Sequence, residues 1–462
     1  MKLIDTIAAV STPRGKGGVA MIRISGADAQ DIADRVFKTA SGAPLSAAPS
    51  ALMRRGTVIS PEDGCAVDDG MAALFRAPAS FTGEDTVEIY CHGGALVTER
   101  VLSCVLCAGA RYAQAGEFTR RAFVNGKIGL DEAESLGALL EAKTHSQLRL
   151  ARNGMSGTLA ASIRDIYESL RSVLTGVYAA IDFPDEDLNE FSREQMIELL
   201  SRSAASVDSL IATYKTGRAV SEGISTVICG RANAGKSSVY NAIVGYDAAI
   251  VTDIEGTTRD VLKQVASLGD VTLSLADTAG IRDTADRVES IGVARALREL
   301  EGAELILAVF DGSCELGSDD LDIIERLGST TCPCVAIINK SDLGVCQQTA
   351  DVLSSRFEHT VVLSAADRQG FDRLAQVVRE LFLDGSIDLD NDAVVSNARQ
   401  FSSLTLAKES LSSAIGELVA GTPLDLSCIA IESALSFLGE VDGRELGEQI
   451  VSEIFSKFCV GK

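Results

Sequence analysis

The stretch GRANAGKSS, Gly230–Ser238, holds the spacing G-x-x-x-x-G-K-S. It follows the β-branched run STVIC (225–229) and leads into a helical run, the strand–loop–helix context that a phosphate-cradling loop needs. In such a loop the backbone N–H groups and the helix N-terminus hold phosphates, Lys236 reaches the β and γ oxygens, and Ser237 ligates Mg2+. The loop assigns Asn233, Ala234, Gly235, Lys236, Ser237 and Ser238 to nucleotide. Around it strands and helices alternate from about residue 222 to about 385, through STVICG, VTLSLADTAG, AELILAVFDGS, PCVAIINKSD and HTVVLSAA. That alternation predicts a mainly parallel sheet covered by helices.

Four further elements follow in order. TDIEGTTRD reads as a switch loop (Thr252, Asp253, Ile254, Glu255, Gly256, Thr257, Thr258) in which Thr258 closes over Mg2+. Asp277, Thr278, Ala279 and Gly280 end the next hydrophobic strand; Asp277 stands where a Mg2+ carboxylate belongs, and Gly280 can offer its N–H to a γ-phosphate. In NKSD the residues Asn339, Lys340 and Asp342 end a later strand, and Asp342 can accept from both guanine N1–H and the 2-amino group, a pattern adenine lacks. Ser364, Ala365 and Ala366 fit the loop that touches guanine O6. Together these elements specify GTP. One position is unusual: Ile281 follows Gly280 where such loops often carry a water-orienting glutamine, and an isoleucine cannot orient water. Arg259 and Arg282 are candidates for a catalytic finger by position, with an ordinary surface role as the alternative.

The chain has 462 residues, 46% of them hydrophobic, which allows roughly three domains with cores of their own. No segment approaches ~18 uninterrupted apolar residues, and the N-terminus does not read as a leader, so a cytoplasmic protein with no membrane partner is expected. Eleven cysteines without a regular framework read as reduced thiols, and Cys104/Cys107 and Cys332/Cys334 as buried small hydrophobes rather than a zinc site. The net charge of −23 excludes a protein that coats nucleic acid. Residues 1–130 hold 14 Lys and Arg against 13 Asp and Glu, a balance of +1, leaving −24 for the rest. Any RNA contact is therefore local.

Residues 1 to about 120 mix β-rich runs (GGVAMIRISG, DTVEIYCHGG) with helical ones, as a compact α+β domain does. Beyond them Ile163, Ile166, Leu170, Val173, Val177 and Ile181 recur at helical spacing until DFPDED breaks the run. A second helix runs through Ile197, Leu200, Val207 and Ile211, and after the acidic stretch DGSIDLDND another carries Leu404, Leu411, Ile415 and Leu418. The economical reading is one helical domain in two sequence segments with the α/β domain inserted between them; two separate helical domains are the alternative.

The phosphate loop with Asn233, the TDIEGTTRD switch, GKGGVAMIRISG, SFTGEDTVEIYCHGG, AGEFTRRAFVNGKIGLDEAESL and the ending FSKFCVGK together resemble the MnmE (TrmE) family of tRNA-modification GTPases, within the TrmE-Era-EngA-like superfamily. The resemblance runs from the first strand to the last residue. It implies an N-terminal tetrahydrofolate-binding and dimerisation domain (1–125), a helical domain in two parts (126–221 and 386–462) and an inserted G domain (222–385). Two positions depart from the family's usual pattern: Ala232 replaces proline and Glu255 replaces alanine. A GTP-dependent ribosome-assembly or regulatory protein would have a similar G domain, but this chain shows no basic RNA-binding appendage, basic amphipathic helix or lipidation signal.

The resemblance also implies what replaces the glutamine. A potassium ion held by Asn233, Thr252, Ile254 and Thr257 takes the finger's role, and Glu289 in DRVESIG positions water. Facing G domains complete that loop, so GTP binding acts as a dimerisation switch in a homodimer. Arg23, Glu84, Lys127 and the terminal Lys462 match positions that contact a 5-formyl- or methylene-tetrahydrofolate. A separate FAD-dependent protein, MnmG (GidA), joins the chain in a hetero-oligomer that attaches a carboxymethylaminomethyl or aminomethyl group to carbon 5 of the tRNA wobble uridine. The chain has no Rossmann glycine fingerprint of its own, so flavin and hydride come from elsewhere. Cys459, in the ending FCVGK, is a candidate nucleophile whose pKa Lys457 and Lys462 would lower if near; a tail docked by Phe455 and Phe458 is the alternative.

Overall fold

The computed structural model describes residues 5–13, 15–182, 192–245, 264–269, 271–275, 303–458 and 460–461. The chain divides into two units, Met1–Gly137 with Gly439–Lys462, and Ala138–Leu438.

The first unit is built on β1 (Ile7–Val10), β2 (Val19–Ser25), α1 (Ala29–Val36), β3 (Phe37–Thr39), β4 (Arg54–Ile59), β5 (Ala66–Phe75), β6 (Thr86–His92), α2 (Ala95–Cys107), β7 (Arg111–Tyr112) and α3 (Glu117–Val124). Its seven strands order as β3-β4-β5-β6-β2-β1-β7, antiparallel except for the parallel pair β1/β7. The strand period of two sorts the side chains. Ala20, Ile22 and Ile24 of β2 and Val87, Ile89 and Cys91 of β6 share a core with α1 and α2. Arg23 and Ser25 of β2 and Glu88 of β6 therefore lie on the opposite face, where Ile7, Ala9, Ala113 and Phe118 form a small second core.

The chain continues through α4 (Leu130–Glu141), α5 (His145–Met155), α6 (Thr158–Asp182) and α7 (Arg193–Ser221). In α6 the stripe Ile163, Ile166, Leu170, Val173 and Val177 is buried as its spacing predicts. In α7 the buried residues include Met196 and Leu210 beside Leu200 and Val207, while the expected Ile197 and Ile211 are half-buried. The stripe is rotated by one residue because Met196 and Leu210 complete it at helical spacing.

The α/β region comprises β8 (Ile224–Cys229), α8 (Lys236–Val244), β9 (Gln264–Leu268), β10 (Val271–Leu275), β11 (Leu305–Asp311), α9 (Ser318–Leu327), β12 (Cys334–Asn339), α10 (Gln347–Arg356), β13 (His359–Val362) and α11 (Phe371–Phe382). Its sheet order is β13-β12-β11-β8-β10-β9, parallel throughout except that β9 runs antiparallel to β10. The mainly parallel sheet is thus present, with one edge strand that the sequence reading did not find.

Three helices follow, α12 (Ala398–Val419), α13 (Leu424–Asp442) and α14 (Glu448–Ser456). The helices before and after the α/β region pack on each other. Tyr214 of α7 stacks on Phe401 of α12 with ring centroids 4.2 Å apart, and Lys408 Nζ lies 2.5 Å from Asp208 Oδ1. The connecting segments are stitched as well. Thr216 Oγ1 accepts from Asp384 N (3.0 Å), Thr213 Oγ1 accepts from Val395 N (2.9 Å), and Ser221 Oγ donates to Ser396 O (2.9 Å).

Asp131, in the first turn of α4, is 3% exposed, and neither carboxylate oxygen has a hydrogen-bond partner among the described residues. Burial, with a smaller push from the charges of Glu132 and Asp442, outweighs the pull of the nearby backbone N–H groups and raises its pKa to about 6. The folded chain holds this proton more tightly than the unfolded one. Stability therefore falls as pH rises from about 4 to about 6 and stays lower above that range, by about 3 kcal/mol for a shift of this size. Asp131→Asn is expected to raise the unfolding temperature of the full-length chain above pH 6, with a gain that shrinks towards pH 4. A gain that does not vary with pH would show that Asp131 ionises without penalty.

Candidate functional site

Two glycines shape the phosphate loop. Gly230 has φ +148°, and a Cβ there would lie 2.2 Å from Val309 O; Gly235 has φ +98°, and its Cβ would lie 2.1 Å from Asn339 Nδ2. Both positions need a residue without a side chain. Asn233, between them, is exposed and left-handed at φ +61°. Lys236 opens α8, and its Nζ donates to Gly230 O (2.9 Å) and Arg231 O (2.8 Å), so the ammonium lies inside the curl of the loop. Burial lowers its pKa. Ser237 and Ser238 are exposed in the first helical turn.

The residues expected to read the base converge on this loop through one side chain. Asn339, 2% exposed, donates from Nδ2 to Ala234 O (3.0 Å) and accepts at Oδ1 from Ala365 N (3.1 Å). Asp342 Oδ1 accepts from Ser364 Oγ (2.6 Å), which in turn accepts from Asp367 N (3.1 Å). The structure thus brings together Ala234, Asn339, Asp342, Ser364 and Ala365, contributed by loops after β8, β12 and β13. Thr252–Thr258, Asp277–Gly280, Ile281, Glu289, Cys459 and Lys462 lie outside the described residues.

In the first unit Arg23, Glu84 and Lys127 gather on the loop between β5 and β6. Lys127 Nζ donates to Pro78 O (2.9 Å), and its stem lies against Gly83, where a Cβ would stand 3.1 Å from Lys127 Cγ. Arg23 lies over the rings of Phe81 (5.3 Å) and Phe118 (5.8 Å). Glu84 accepts from Ser25 Oγ (2.8 Å) and from the fully buried Arg121 (Nη1 to Oε2, 3.1 Å). Arg121 also binds Asp5 Oδ1 (2.8 Å) and Glu117 Oε1 (3.1 Å). Burial alone would raise the pKa of Glu117, but hydrogen bonds from Arg111, Gln114 N and Arg121 hold it below the usual carboxylate range.

Sequence reasoning missed two residues here. Glu88 pairs with Arg23 (Nη2 to Oε1, 2.8 Å) and accepts from Tyr90 OH (2.5 Å), whose pKa burial and Glu88 push up to about 12. Their register in β2 and β6 is the signal that could have found it, since Arg23 and Glu88 are direct cross-strand partners. Arg121 was hidden because a buried arginine looks like any other charge in TRRAF; its i,i+4 spacing from Glu117 was the only hint.

The C-terminal tail docks on the same unit. Val460 bridges antiparallel to Ala115, Ser11 Oγ donates to Gly461 O (2.8 Å), and Gly461 (φ +99°) sits where a Cβ would lie 2.2 Å from Val10 O. Phe455 packs with Phe123 and Phe458 at 6.0 and 5.5 Å between ring centroids. Beside it lies a cavity of about 170 Å³ whose lining includes Gln114, Arg120, Ser452 and Ser456.

The MnmE helical domain profile matches residues 130–459, and the profile of the GTP-binding protein TrmE N-terminus matches residues 6–127. The tRNA modification GTPase MnmE of Moorella thermoacetica is 40% identical over 465 residues, covering 100% of both chains. That of Lactobacillus delbrueckii subsp. bulgaricus is 38% identical over 458 residues, covering 99% of this chain and 98% of its own. Among solved structures, the FeoB G-domain of Methanococcus jannaschii is 21% identical with a TM-score of 0.26, covering 35% of this chain and 98% of its own. On the full-length matches, the chain belongs to the MnmE family of tRNA modification GTPases.

Proposed function

We propose that this GTPase couples a potassium-stimulated hydrolysis cycle to modification of carbon 5 of the tRNA wobble uridine, acting as a cytoplasmic homodimer with a separate FAD-dependent protein of the MnmG (GidA) kind. The observation that carries the nucleotide half is the pair of hydrogen bonds from Asn339 to the phosphate loop and to Ala365, which gathers the guanine-reading groups over the phosphate loop. Asp342 then reads the guanine N1–H and 2-amino donors, and Lys236 exchanges its loop carbonyls for phosphate oxygens.

Oxygen donors suit both ions. Ser237, exposed in the first turn of α8, would hold Mg2+ with Thr258, and the exposed Asn233 would offer an oxygen to potassium with Thr252, Ile254 and Thr257. Potassium there would supply positive charge to offset that developing on the phosphates, and Glu289 would orient the attacking water in place of the glutamine that Ile281 displaces. GTP binding in turn drives association of the two G domains, and hydrolysis their release.

For the one-carbon donor, Glu84 is the acceptor for the N–H groups of a pterin: its half-buried carboxylate is held in place by Ser25 and Arg121. Lys127 is the exposed cation for the glutamate tail, whereas Arg23 shares its charge with Glu88 and contributes a stacked guanidinium instead. Lys462 is assigned as a folate contact and Cys459 as a nucleophile; both lie outside the described residues, and the docking of Val460 and Gly461 on this unit supports the assignment. On this reading the domains are 1–125, 126–221 with 386–462, and 222–385.

Two measurements test the proposal. Wobble uridines from cells lacking this chain should lose the aminomethyl-type groups by mass spectrometry of tRNA nucleosides; unchanged nucleosides would favour a GTP-dependent assembly factor. Binding of 5-formyltetrahydrofolate to the full-length chain should weaken at least tenfold in Glu84→Gln, which exchanges an acceptor for an amide, while GTP hydrolysis stays intact. Unaltered folate affinity would remove Glu84 from the pocket.

A further inference from the structure

Asp311 ends β11 with a side chain only 11% exposed. Its Oδ2 lies 2.6 Å from Lys340 Nζ and 3.9 Å from Arg231 Nη2, and its Oδ1 accepts from Ser313 N (3.1 Å) and Oγ (2.6 Å). Arg231 is the residue after the first glycine of the phosphate loop. It is anchored a second time by the buried Asp320 of α9, Nε to Oδ2 at 3.0 Å. Lys340 is the residue between Asn339 and Ser341, and its backbone is left-handed at φ +64°, a conformation that a residue with a Cβ adopts only at a cost. The chain reverses there. Asn339 before the reversal faces Ala234 and Ala365, and Asp342 after it faces Ser364.

We propose that Asp311 is a positioning residue for guanine-nucleotide binding: by holding Lys340 in its left-handed conformation and Arg231 on the same carboxylate, it keeps the base-reading loop and the phosphate loop in one register. Two cations from two different loops share a nearly buried anion, so neither loop shifts without breaking a charge-assisted hydrogen bond or separating an ion pair. The nucleotide then meets Asn339 and Asp342 already aimed, and the cost of ordering them is not charged to binding. Lys236 and Ser237 make no bond to Asp311 among the described residues, so the effect falls on affinity rather than on the chemical step.

The test is a double-mutant cycle on the full-length chain, with fluorescent GDP for affinity and GTP for turnover. Asp311→Asn keeps the shape and the acceptor for Ser313 but removes the charge. The expected result is a rise of about tenfold in Kd for GDP and in KM for GTP, with kcat at saturating GTP moving less than twofold. Lys340→Gly relieves the left-handed backbone, and in that background Asp311→Asn should add less than about threefold. Asp311→Glu restores the charge and should recover part of the affinity. An unchanged Kd in Asp311→Asn overturns the proposal, as does a fall in kcat with KM unchanged. A tenfold loss that persists undiminished in the Lys340→Gly background overturns the role given to Lys340, because Asp311 would then act without it.

Discussion

The buried amide of Asn339 is the tie on which the nucleotide site depends. Its nitrogen donates to the phosphate loop at Ala234 and its oxygen accepts from Ala365, so one side chain spans the loops that follow three different strands. Neither loop has a sequence that dictates where the other lies; the amide does. Leaving either end unsatisfied in this buried place would cost about 1–3 kcal/mol, which is a large share of a domain's net stability. The same amide explains why position 235 tolerates no side chain, since a methyl group there would fall on its nitrogen.

Much of this was legible in the sequence because parallel strands buried on both faces read as plain apolar runs. The strands β8, β10, β11 and β12 coincide with such runs, β13 is a half-exposed edge strand, and the motifs GRANAGKS, NKSD and SAA follow the C-terminal ends of β8, β12 and β13. β9 was not legible. It is a five-residue edge strand, QVASL, held by pairing with β10 rather than by a hydrophobic signature of its own. The stripe of α7 was read one residue off, because Ile197 and Met196 are equally apolar and only packing decides which of them is covered.

Charged residues were harder. Composition and spacing cannot show whether a charge is paired, and the N-terminal cluster turns on pairing. Arg23 reads as a free cation in MIRISG, yet its guanidinium belongs to Glu88. Arg121 reads as a surface charge, yet it is fully enclosed and spans Asp5, Glu84 and Glu117. A buried guanidinium of this kind is tolerated because it has carboxylates to meet. Arg111, with Asp5 at 2.6 Å and Glu117 at 2.6 Å, shares two of the same acids, so the charges of this region form one connected network.

The stitched segments around the α/β region bear on how such a chain could arise and be re-engineered. Thr213, Thr216 and Ser221 at the end of α7 hold Val395, Asp384 and Ser396, so the points where the polypeptide leaves the helical host and returns to it are neighbours. A host whose two ends already touch loses little chain entropy when a whole domain is spliced between them, because the loop to be closed is short at the host's side whatever the length of the insert. Adjacent exit and entry points also make the insert portable: an inserted domain of 222–385 has the closely spaced ends that favour transplantation or circular permutation. The helical pair α7 and α12 would then remain as a hairpin that a brief turn could join.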